Sequence, residues 1–328
     1  MGSIRVAIIG CGGMGRTHAR TLVGLADAEV ALLVDPLSAS VERLQREVGL
    51  EDVPSTGDAA AALSDGRIDA VVIATHHDLH PPLAIGAAEV GKHVFVEKPL
   101  ALTLEGCRAI ERAAARGGVQ VVVGFQARHC PYVKRGRAAV PHPRVLAGQM
   151  IDPKWGDGHW AQDPVTGGGN VLSQGVHTFD LLCHLAGEEP VAIHAAGGTF
   201  THDPATTHVV DTVVATIRFR GGAVASVAIG DFGPSHWAGK SFYQLFDATG
   251  RSATVYQYYG GLRLGHGRET TDVTSADLSP AEQADPFGYV GEMAEFVACA
   301  RERRSPTVAA GVQDGTRATK LALAAFES

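Results

Sequence analysis

Short apolar runs alternate with amphipathic stretches through the first 125 residues of the chain. Continuous runs such as 68–74 are typical of strands that are buried on both faces of a sheet. Between these runs, apolar residues recur every three or four positions, as they do over 41–48 before Gly49 ends the stretch. This alternation with short connections predicts a parallel, doubly wound α/β sheet, whose ligands bind beyond the carboxyl ends of the strands.

A strand-rich pattern replaces this alternation in the second half. Hairpin turns are indicated at Gly221-Gly222 and Thr249-Gly250, and helical spacing returns over 290–300 and 316–326. The predicted strands of this half cover 191–200, 209–219, 223–229, 242–248 and 253–259. We therefore predict two domains. Residues 1–126 form an N-terminal doubly wound α/β domain, and residues 127–328 form a C-terminal α+β domain with a mostly antiparallel sheet, one face of which is available for a partner subunit.

Composition excludes several classes of partner. The 328 residues are 45% hydrophobic with a formal net charge of −7, so no basic field is available for nucleic acid or an anionic membrane. No apolar run approaches the length of a membrane span, and the first strand begins too early for a signal peptide. The cysteines are odd in number and never spaced C-x-x-C, which predicts reduced thiols in the cytoplasm. They are Cys11, Cys107, Cys130, Cys183 and Cys299.

A glycine-rich loop follows the first strand. The segment 4–15 reads IRVAIIGCGGMG and contains G-x-G-x-x-G. Gly10 permits a tight turn, Gly12 lets a pyrophosphate approach the backbone, and Gly15 lets the next helix pack close to the strand. The helix N-terminus that follows can bind the phosphates. The residues predicted to hold the pyrophosphate are Gly10, Gly12, Gly13, Met14 and Gly15.

The second apolar run, 30–34, ends in a carboxylate. Asp35 lies about 20 residues past the last glycine, where it can accept hydrogen bonds from both ribose hydroxyls and repel a 2′-phosphate. Pro36-Leu37 offers no arginine in its place, which favours NAD. Arg43 lies a turn or two into the next helix, so the use of NADP stays open.

A lysine is predicted at the same edge of the sheet. Glu97-Lys98-Pro99 follows the apolar run 93–96. An ammonium group beside a nicotinamide can hydrogen-bond a reacting hydroxyl and stabilise the developing alkoxide, so we predict that Lys98 is catalytic. Pro99 can fix the turn that aims the lysine, including through a cis peptide bond. The alternative is a surface Lys-Pro turn.

A glycine triplet precedes the predicted helix 170–186. Opposite its apolar stripe, the helix carries hydroxyl, imidazole and carboxylate groups. A helix face exposed to bulk solvent usually carries Lys and Glu, so this composition indicates a face that lines a water-filled cleft. Histidine has an unperturbed pKa of about 6.5, near neutral pH, so we predict that His177 is a general acid/base. Asp180 would orient it or bind a substrate hydroxyl, and a purely structural histidine is the alternative. The polar face comprises Ser173, His177, Asp180 and His184.

Substrate contacts are predicted from loops of the second half. Aromatic faces stack on sugar rings, and the loop before this helix contains Trp155, Asp157, His159 and Trp160. A self-packed surface loop is the alternative. Arg128, His129 and Tyr132 follow the last Rossmann strand, and His236 and Trp237 lie near the site or in an oligomer interface. The residues predicted to bind substrate are Arg128, Trp155, Trp160, Ser173 and Asp180.

Together these motifs resemble the glucose–fructose oxidoreductase/inositol dehydrogenase (Gfo/Idh/MocA) family over nearly the full length. The resemblance rests on Gly10–Gly15, Glu97-Lys98-Pro99, Gly124-Phe125 with Arg128 and Pro131, the triplet leading to His177 and Asp180, and the closing segment 311–328. It implies an NAD(P)-dependent oxidoreductase acting on a secondary hydroxyl or ketone of a sugar, cyclitol or derivative. It also implies Lys98 as the catalytic lysine and His177 as the proton-transfer histidine. By the same resemblance, residues 1–126 are the Rossmann dinucleotide-binding domain, and residues 127–328 are the substrate-binding and oligomerisation domain, whose large open sheet forms dimers or tetramers.

Two positions depart from the family pattern. Inositol dehydrogenase-like members carry Asp four residues before the histidine, where this chain has Ser173. The loop after the third predicted strand usually reads Thr-Pro, but here Thr75-His76 is followed by His77, Asp78 and His80. These side chains resemble a metal cluster, but hydride transfer in the family needs no metal. We therefore expect no metal, and expect Thr75, His76, His80 and Glu97 to line the nicotinamide end of the cofactor.

Three other functions stay open at this point. Some relatives keep NAD bound and cleave glycosidic bonds by transient oxidation and elimination. Ser173 in place of the carboxylate fits an imine or amino-sugar substrate, because an amine product needs no strong base to release its proton. A non-catalytic dinucleotide-sensing regulator is the third, and the presence of both Lys98 and His177 argues against it.

Overall fold

The structure is a computed structural model that describes residues 2–156, 158–203, 206–233 and 239–327. Its helices are α1 Gly13–Val23, α2 Ser38–Val48, α3 Ala59–Ser64, α4 His80–Glu89, α5 Leu104–Gly117, α6 Pro131–Ala139, α7 Val176–Ala186, α8 Pro280–Ala284, α9 Tyr289–Glu302 and α10 Val312–Ala324. Its strands are β1 Ile4–Ile9, β2 Ala28–Val34, β3 Ser55–Thr56, β4 Ala70–Ile73, β5 His93–Val96, β6 Val121–Val123, β7 Val145–Ile151, β8 Pro190–Gly198, β9 Thr212–Phe219, β10 Val224–Gly230, β11 Ser241–Phe246, β12 Arg251–Tyr256, β13 Gly261–His266, β14 Glu269–Val273 and β15 Ala310–Gly311.

The chain forms two compact units. The first comprises residues 1–125 and 289–316, and the second comprises 126–288 and 317–328. The sequence-based division differs from this over 289–316, which it assigned to the second domain. Within the described ranges, no helix combines the length and the apolar character needed to cross a membrane.

The first unit contains the predicted doubly wound sheet. Its strands lie in the order β15-β6-β5-β4-β1-β2-β3, and β1 to β6 pair in parallel. Apolar side chains such as Val6, Ile8 and Phe95 are fully buried, because helices cover both faces of a parallel sheet. The predicted Rossmann fold is therefore confirmed.

Residues from the end of the chain complete this unit. Met293 and Phe296 of α9 belong to the same apolar core as Ile8 and Phe95. The short strand β15 adds an antiparallel edge by pairing with β6. A sequence pattern shows that α9 has an apolar face, but it does not show which sheet that face covers. This is why the sequence-based division placed the segment in the second domain.

The second unit contains the predicted open sheet. Its strands lie in the order β14-β13-β12-β11-β7-β10-β9-β8, antiparallel except for the β7–β10 pair. Strands β9 and β10 join at the predicted turn Gly221-Gly222, and β11 and β12 join at Thr249-Gly250. The sequence analysis missed β7, β13 and β14 as strands.

Helix α7 packs on one face of this sheet. A Cβ on Gly148 of β7 would lie 3.0 Å from side-chain atoms of both Thr178 and Leu182, so glycine allows the close approach. The predicted continuous helix 170–186 instead begins with a π-helical turn, Val171–Gly175, before α7. The wider turn changes the angular relation between Ser173 and the residues of α7 from the one that α-helical spacing predicts.

Candidate active site

Glycine shapes the loop between β1 and α1. Gly10 has φ of +96°, and a Cβ there would lie 2.3 Å from the carbonyl oxygen of Ala74. A Cβ on Gly15 would lie 1.9 Å from the carbonyl oxygen of Gly10. By contrast, Cβ atoms on Gly12 and Gly13 would meet nothing within 4 Å, and α1 begins without a side-chain cap. Open space beside uncapped amides fits the predicted binding of a pyrophosphate. Met14 follows in the first turn of α1.

Two backbone amides hold the Asp35 carboxylate at the end of β2. Its Oδ2 accepts a hydrogen bond from the Cys11 amide at 2.8 Å, and its Oδ1 accepts one from the Leu37 amide at 2.8 Å. Burial, together with the Asp35 charge, raises the pKa of the Cys11 thiol to about 12. The carboxylate is therefore oriented beside the glycine loop, and its remaining lone pairs fit ribose hydroxyls.

Strand register brings the predicted cofactor residues to one edge. Ile9 pairs with both Val34 and Ile73, and Ile73 pairs with Val96. The loops that leave these neighbouring strands begin at positions 10, 35, 74 and 97. Thr75, His76, His80, Glu97 and Lys98 all lie on these loops or, for His80, at the start of α4.

Buried side chains surround the segment Glu97-Lys98-Pro99. The Lys98-Pro99 bond is cis, in agreement with the conformation considered from the sequence. Glu97 Oε1 lies 2.8 Å from His18 Nε2, and His80 Nδ1 donates to the carbonyl oxygen of Pro99 at 2.7 Å. Burial raises the pKa of the Glu97 carboxyl, but the His18 hydrogen bond and the neighbouring positive charges outweigh it and lower the pKa below its ordinary value.

His18 was missed as a member of this site. From the sequence it is one polar position in a helix that packs on a sheet. Its partner Glu97 lies 79 residues later, and local spacing gives no signal for such a pairing.

A buried ion pair anchors α7. The Arg128 guanidinium donates from Nε to Asp180 Oδ2 at 2.8 Å and from a terminal nitrogen to Oδ1 at 2.6 Å. The two hydrogen bonds form the bidentate geometry that binds carboxylates most strongly, and both side chains are buried. The two residues were each predicted to bind substrate, and the structure brings them together as partners of one another.

The polar face of the predicted helix is buried. Ser173, His177 and Asp180 are 3%, 8% and 2% exposed, and His184 is half-buried. The Arg137 guanidinium lies 3.2 Å from His184 Nε2. His129 and Tyr132 are also buried.

Aromatic rings pack against one another in the loop before α7. The Trp155 and His159 ring centroids are 5.1 Å apart, and those of His159 and Trp160 are 5.9 Å apart with nearly parallel planes. Trp155 and Trp160 remain half-buried and His159 is exposed. Asp157, His236 and Trp237 lie outside the described residues.

A compact group of potential metal ligands occurs away from the His76–His80 loop, in the second unit. Among the described residues, such a group is formed by His202, Asp211 and Asp231. The Asp211 carboxylate accepts from backbone amides, including those of Thr201 and His202, and His202 Nε2 lies 2.6 Å from Asp231 Oδ2. Direct hydrogen bonds account for this arrangement.

Comparison with known proteins places this fold in one family. Residues 4–125 match the family described as oxidoreductase family, NAD-binding Rossmann fold (GFO_IDH_MocA), and residues 140–255 match the GFO/IDH/MocA C-terminal domain. The chain is 28% identical to scyllo-inositol 2-dehydrogenase (NAD(+)) of Bacillus subtilis, over 93% of this chain and 88% of the relative. It is 25% identical to myo-inositol 2-dehydrogenase of Thermotoga maritima, over 99% of this chain and 96% of the relative.

A solved structure has the same fold. Levoglucosan dehydrogenase, in complex with NADH and levoglucosan, aligns with a TM-score of 0.86 and 24% identity, over 99% of this chain and 97% of that chain. The family matches, which cover both halves of the chain, confirm the resemblance and the NAD cofactor inferred from the sequence. This chain belongs to the GFO/IDH/MocA family of NAD-dependent oxidoreductases.

Proposed function

We propose that the enzyme transfers a hydride between NAD and a secondary hydroxyl or ketone of a sugar, cyclitol or related compound. The observation that carries the proposal is the position of Lys98, which follows β5 at the same sheet edge as the Gly10 loop and Asp35. The inositol dehydrogenases that align over most of the chain support this substrate class.

Each proposed catalytic residue has one task. NAD, when bound, supplies the hydride acceptor, or the donor as NADH in the reverse direction. The Lys98 ammonium donates a hydrogen bond to the substrate oxygen and stabilises negative charge on it. His177 accepts the hydroxyl proton during oxidation and returns it during reduction. Gly10, Gly12, Gly13, Met14 and Gly15 hold the pyrophosphate, Asp35 holds the adenosine ribose, and Thr75, His76, His80 and Glu97 line the nicotinamide end.

Substrate recognition is proposed for the second unit. The loop that contains Trp155 and Trp160 presents aromatic surface of the kind that packs on sugar rings. Ser173 adds a neutral hydroxyl near the start of α7, and Arg128 and Asp180, which pair with one another, are proposed to contact polar groups of the substrate.

A substrate screen tests the proposal. Inositols, sugars, keto-sugars and amino-sugars are offered with NAD(H) and NADP(H), and NADH absorbance is followed. We expect turnover of a cyclitol or sugar with NAD, and loss of turnover in Lys98→Met with NAD binding retained. Turnover of a glycoside without net NADH would instead support the elimination chemistry, and reduction restricted to amino-sugar precursors would support the imine substrate. Full activity of Lys98→Met would contradict the proposal.

We further propose that a second copy of this chain covers the open face of the sheet. Val224, Val145 and Phe246 are direct cross-strand neighbours on this face, and each is more than 40% exposed. A depression of about 540 Å³ is lined by Val145 and Val224, and by His194, Thr216 and Arg218 as well. Exposed contiguous apolar surface favours association. Light scattering on Val145→Glu is expected to give monomers where the parent gives dimers or tetramers, and an unchanged mass would contradict this.

The two units are proposed to divide the work. Residues 1–126 carry cofactor binding, and the remainder carries substrate binding and oligomerisation, with 289–316 completing the first unit. A cytoplasmic location is also proposed, because the described cysteines are all buried and none of them forms a disulfide.

A further inference from the structure

Buried side chains from two helices flank the Lys98 segment. His18 of α1 is 1% exposed, His80 of α4 is 0% exposed, and Glu97 is 7% exposed. All belong to the first unit. Burying two imidazoles and a carboxylate around one lysine costs free energy, because polar groups that lose water must be hydrogen-bonded to offset that loss.

The hydrogen bonds tie both sides of Lys98 to this group. On one side, the Lys98 amide donates to Glu97 Oε2 at 3.3 Å, while Glu97 Oε1 lies 2.8 Å from His18 Nε2. On the other side, the carbonyl oxygen of Pro99 accepts from His80 Nδ1. Since the carboxylate is an acceptor when ionised, His18 Nε2 is the donor in its pair.

We propose that His18 is a positioning residue for Lys98, acting through the Glu97 carboxylate. This rests on the proposed catalytic role of Lys98. The imidazole keeps a buried carboxylate ionised and fixed, and the carboxylate in turn orients the Lys98 backbone and favours the protonated ammonium. Without the imidazole, Glu97 takes up a proton or moves. The Lys98 backbone is then no longer oriented by the carboxylate, and the Lys98 ammonium is no longer stabilised by its negative charge.

Other charged and titratable groups face this cluster. Lys98 and His80 also act on the Glu97 carboxylate, and both lower its pKa. The His18 ring packs edge-on against Phe95 at 4.8 Å and against Tyr289 of α9 at 6.4 Å. The hydrogen bond at Glu97 Oε1 comes from His18, whereas His80 Nδ1 is directed to the carbonyl oxygen of Pro99.

The chain offers a matched control at the other end of β5. His93 is 4% exposed and accepts a hydrogen bond from the Gln120 amide at its Nδ1. It is the first residue of β5, the strand that Glu97 follows, so His93→Leu removes a similarly buried imidazole at the opposite edge of the sheet. His18→Gln is the conservative variant, because its amide nitrogen lies as far along the side chain as Nε2 does.

The test measures Lys98 directly and does not depend on a known substrate. In the NAD-bound enzyme, competitive labelling with acetic anhydride across a pH series gives the pKa of the Lys98 amine by mass spectrometry. We expect His18→Leu to lower that pKa by about one unit, as loss of a neighbouring opposite charge does. His18→Gln and His93→Leu are expected to leave it within about 0.3 units, a shift well below that of a lost charge pair.

Single-turnover hydride transfer, with the substrate that the screen identifies, gives the second readout. His18→Leu is expected to slow transfer by on the order of 10²-fold, as small displacements of catalytic groups do, with little change in NAD affinity. His18→Gln restores most of the rate, and His93→Leu lowers thermal stability alone. If His18→Leu does not fold, His18→Asn replaces it in both measurements, because the asparagine amide is too short to reach Glu97.

The outcomes separate this inference from the proposed function. If Lys98→Met is inactive but His18→Leu and His18→Asn behave as His93→Leu does, the inference about His18 is wrong and the role of Lys98 stands. If Lys98→Met is fully active, the proposed function fails, whatever the labelling shows. Adding His18→Leu to Lys98→Met is expected to slow transfer no further, and an additional loss would overturn the inference.

Discussion

The glycine edge of the first sheet carries residues proposed to bind the cofactor, and the polar face of α7 carries residues proposed to act on the substrate, but different atoms fix the two sets in place. At the sheet edge, backbone atoms do so: the Gly15 Cβ position meets a carbonyl oxygen at 1.9 Å, and amides hold Asp35. On α7, side chains do so, since Asp180 is bound by a guanidinium 52 residues away.

This difference determines how each region responds to change. At the glycine edge, an added side-chain atom is not tolerated where two backbone segments are in contact, as at Gly15. It is tolerated where no other atom lies nearby, as at Gly12. A side-chain pair in a buried setting depends on both partners, since removing one leaves an uncompensated charge. The cofactor site is therefore governed by shape, and the α7 site by charge balance.

The largest expected effect is on the buried pair. Arg128→Met leaves the Asp180 carboxylate buried without its partner and is expected to lower the free energy of unfolding by about 3–5 kcal/mol. The double variant Arg128→Met/Asp180→Leu is expected to recover most of that loss. Urea unfolding monitored by fluorescence measures both. A double variant as unstable as the single would show that the charge balance is not what matters.

Glycine substitutions test the backbone-built edge. Gly15→Ala is expected to cost about 3 kcal/mol, because the new methyl group meets the Gly10 carbonyl and one of the two segments must move. Gly12→Ala meets no atom within 4 Å, so its unfolding free energy is expected to match the parent while its NAD affinity falls about tenfold. Equal destabilisation by the two substitutions would contradict the comparison.

Cofactor choice depends on the Asp35 charge. Asp35→Asn keeps the shape but loses the anion, so NAD affinity is expected to fall about tenfold and discrimination against NADP to shrink by a similar factor. Titration of the protein with NADH and with NADPH measures both. Unchanged discrimination would mean that the carboxylate does not face the ribose.

The smallest effect concerns buried histidines. Burial lowers the pKa values of His80 and His93 below the ordinary 6.5, so the unfolded chain takes up protons first as pH falls. The two histidines therefore make their full contribution to the free energy of unfolding above pH 6.5. Below pH 6.5 the free energy of unfolding decreases by about 1.4 kcal/mol per pH unit for each histidine. His93→Asn, which retains an acceptor for Gln120, is expected to flatten the slope by one proton. An unchanged slope would contradict this assignment.

The features that could be predicted from the sequence are those that local backbone geometry determines, and the features that could not are those that depend on contacts between distant segments. The cradle at Gly10–Gly15, the acid at Asp35 and the lysine after β5 are set by local backbone requirements, and each was predicted at its observed position. The pairing of Arg128 with Asp180 and of His18 with Glu97 depends on packing between distant segments, so local spacing could not reveal either. The π-helical turn before α7 and the return of α9 to the first sheet were missed for the same reason.

The most direct measurement of the proposed chemistry is a double-mutant cycle on the hydride-transfer step. Single-turnover rates are measured for Lys98→Met, His177→Ala and the double variant with saturating NAD. Each single variant is expected to lose on the order of 10²–10³-fold, and the double to lose far less than the product, since both residues serve one substrate oxygen. Near-parental rates in either single variant, or fully multiplicative losses in the double, would contradict the account.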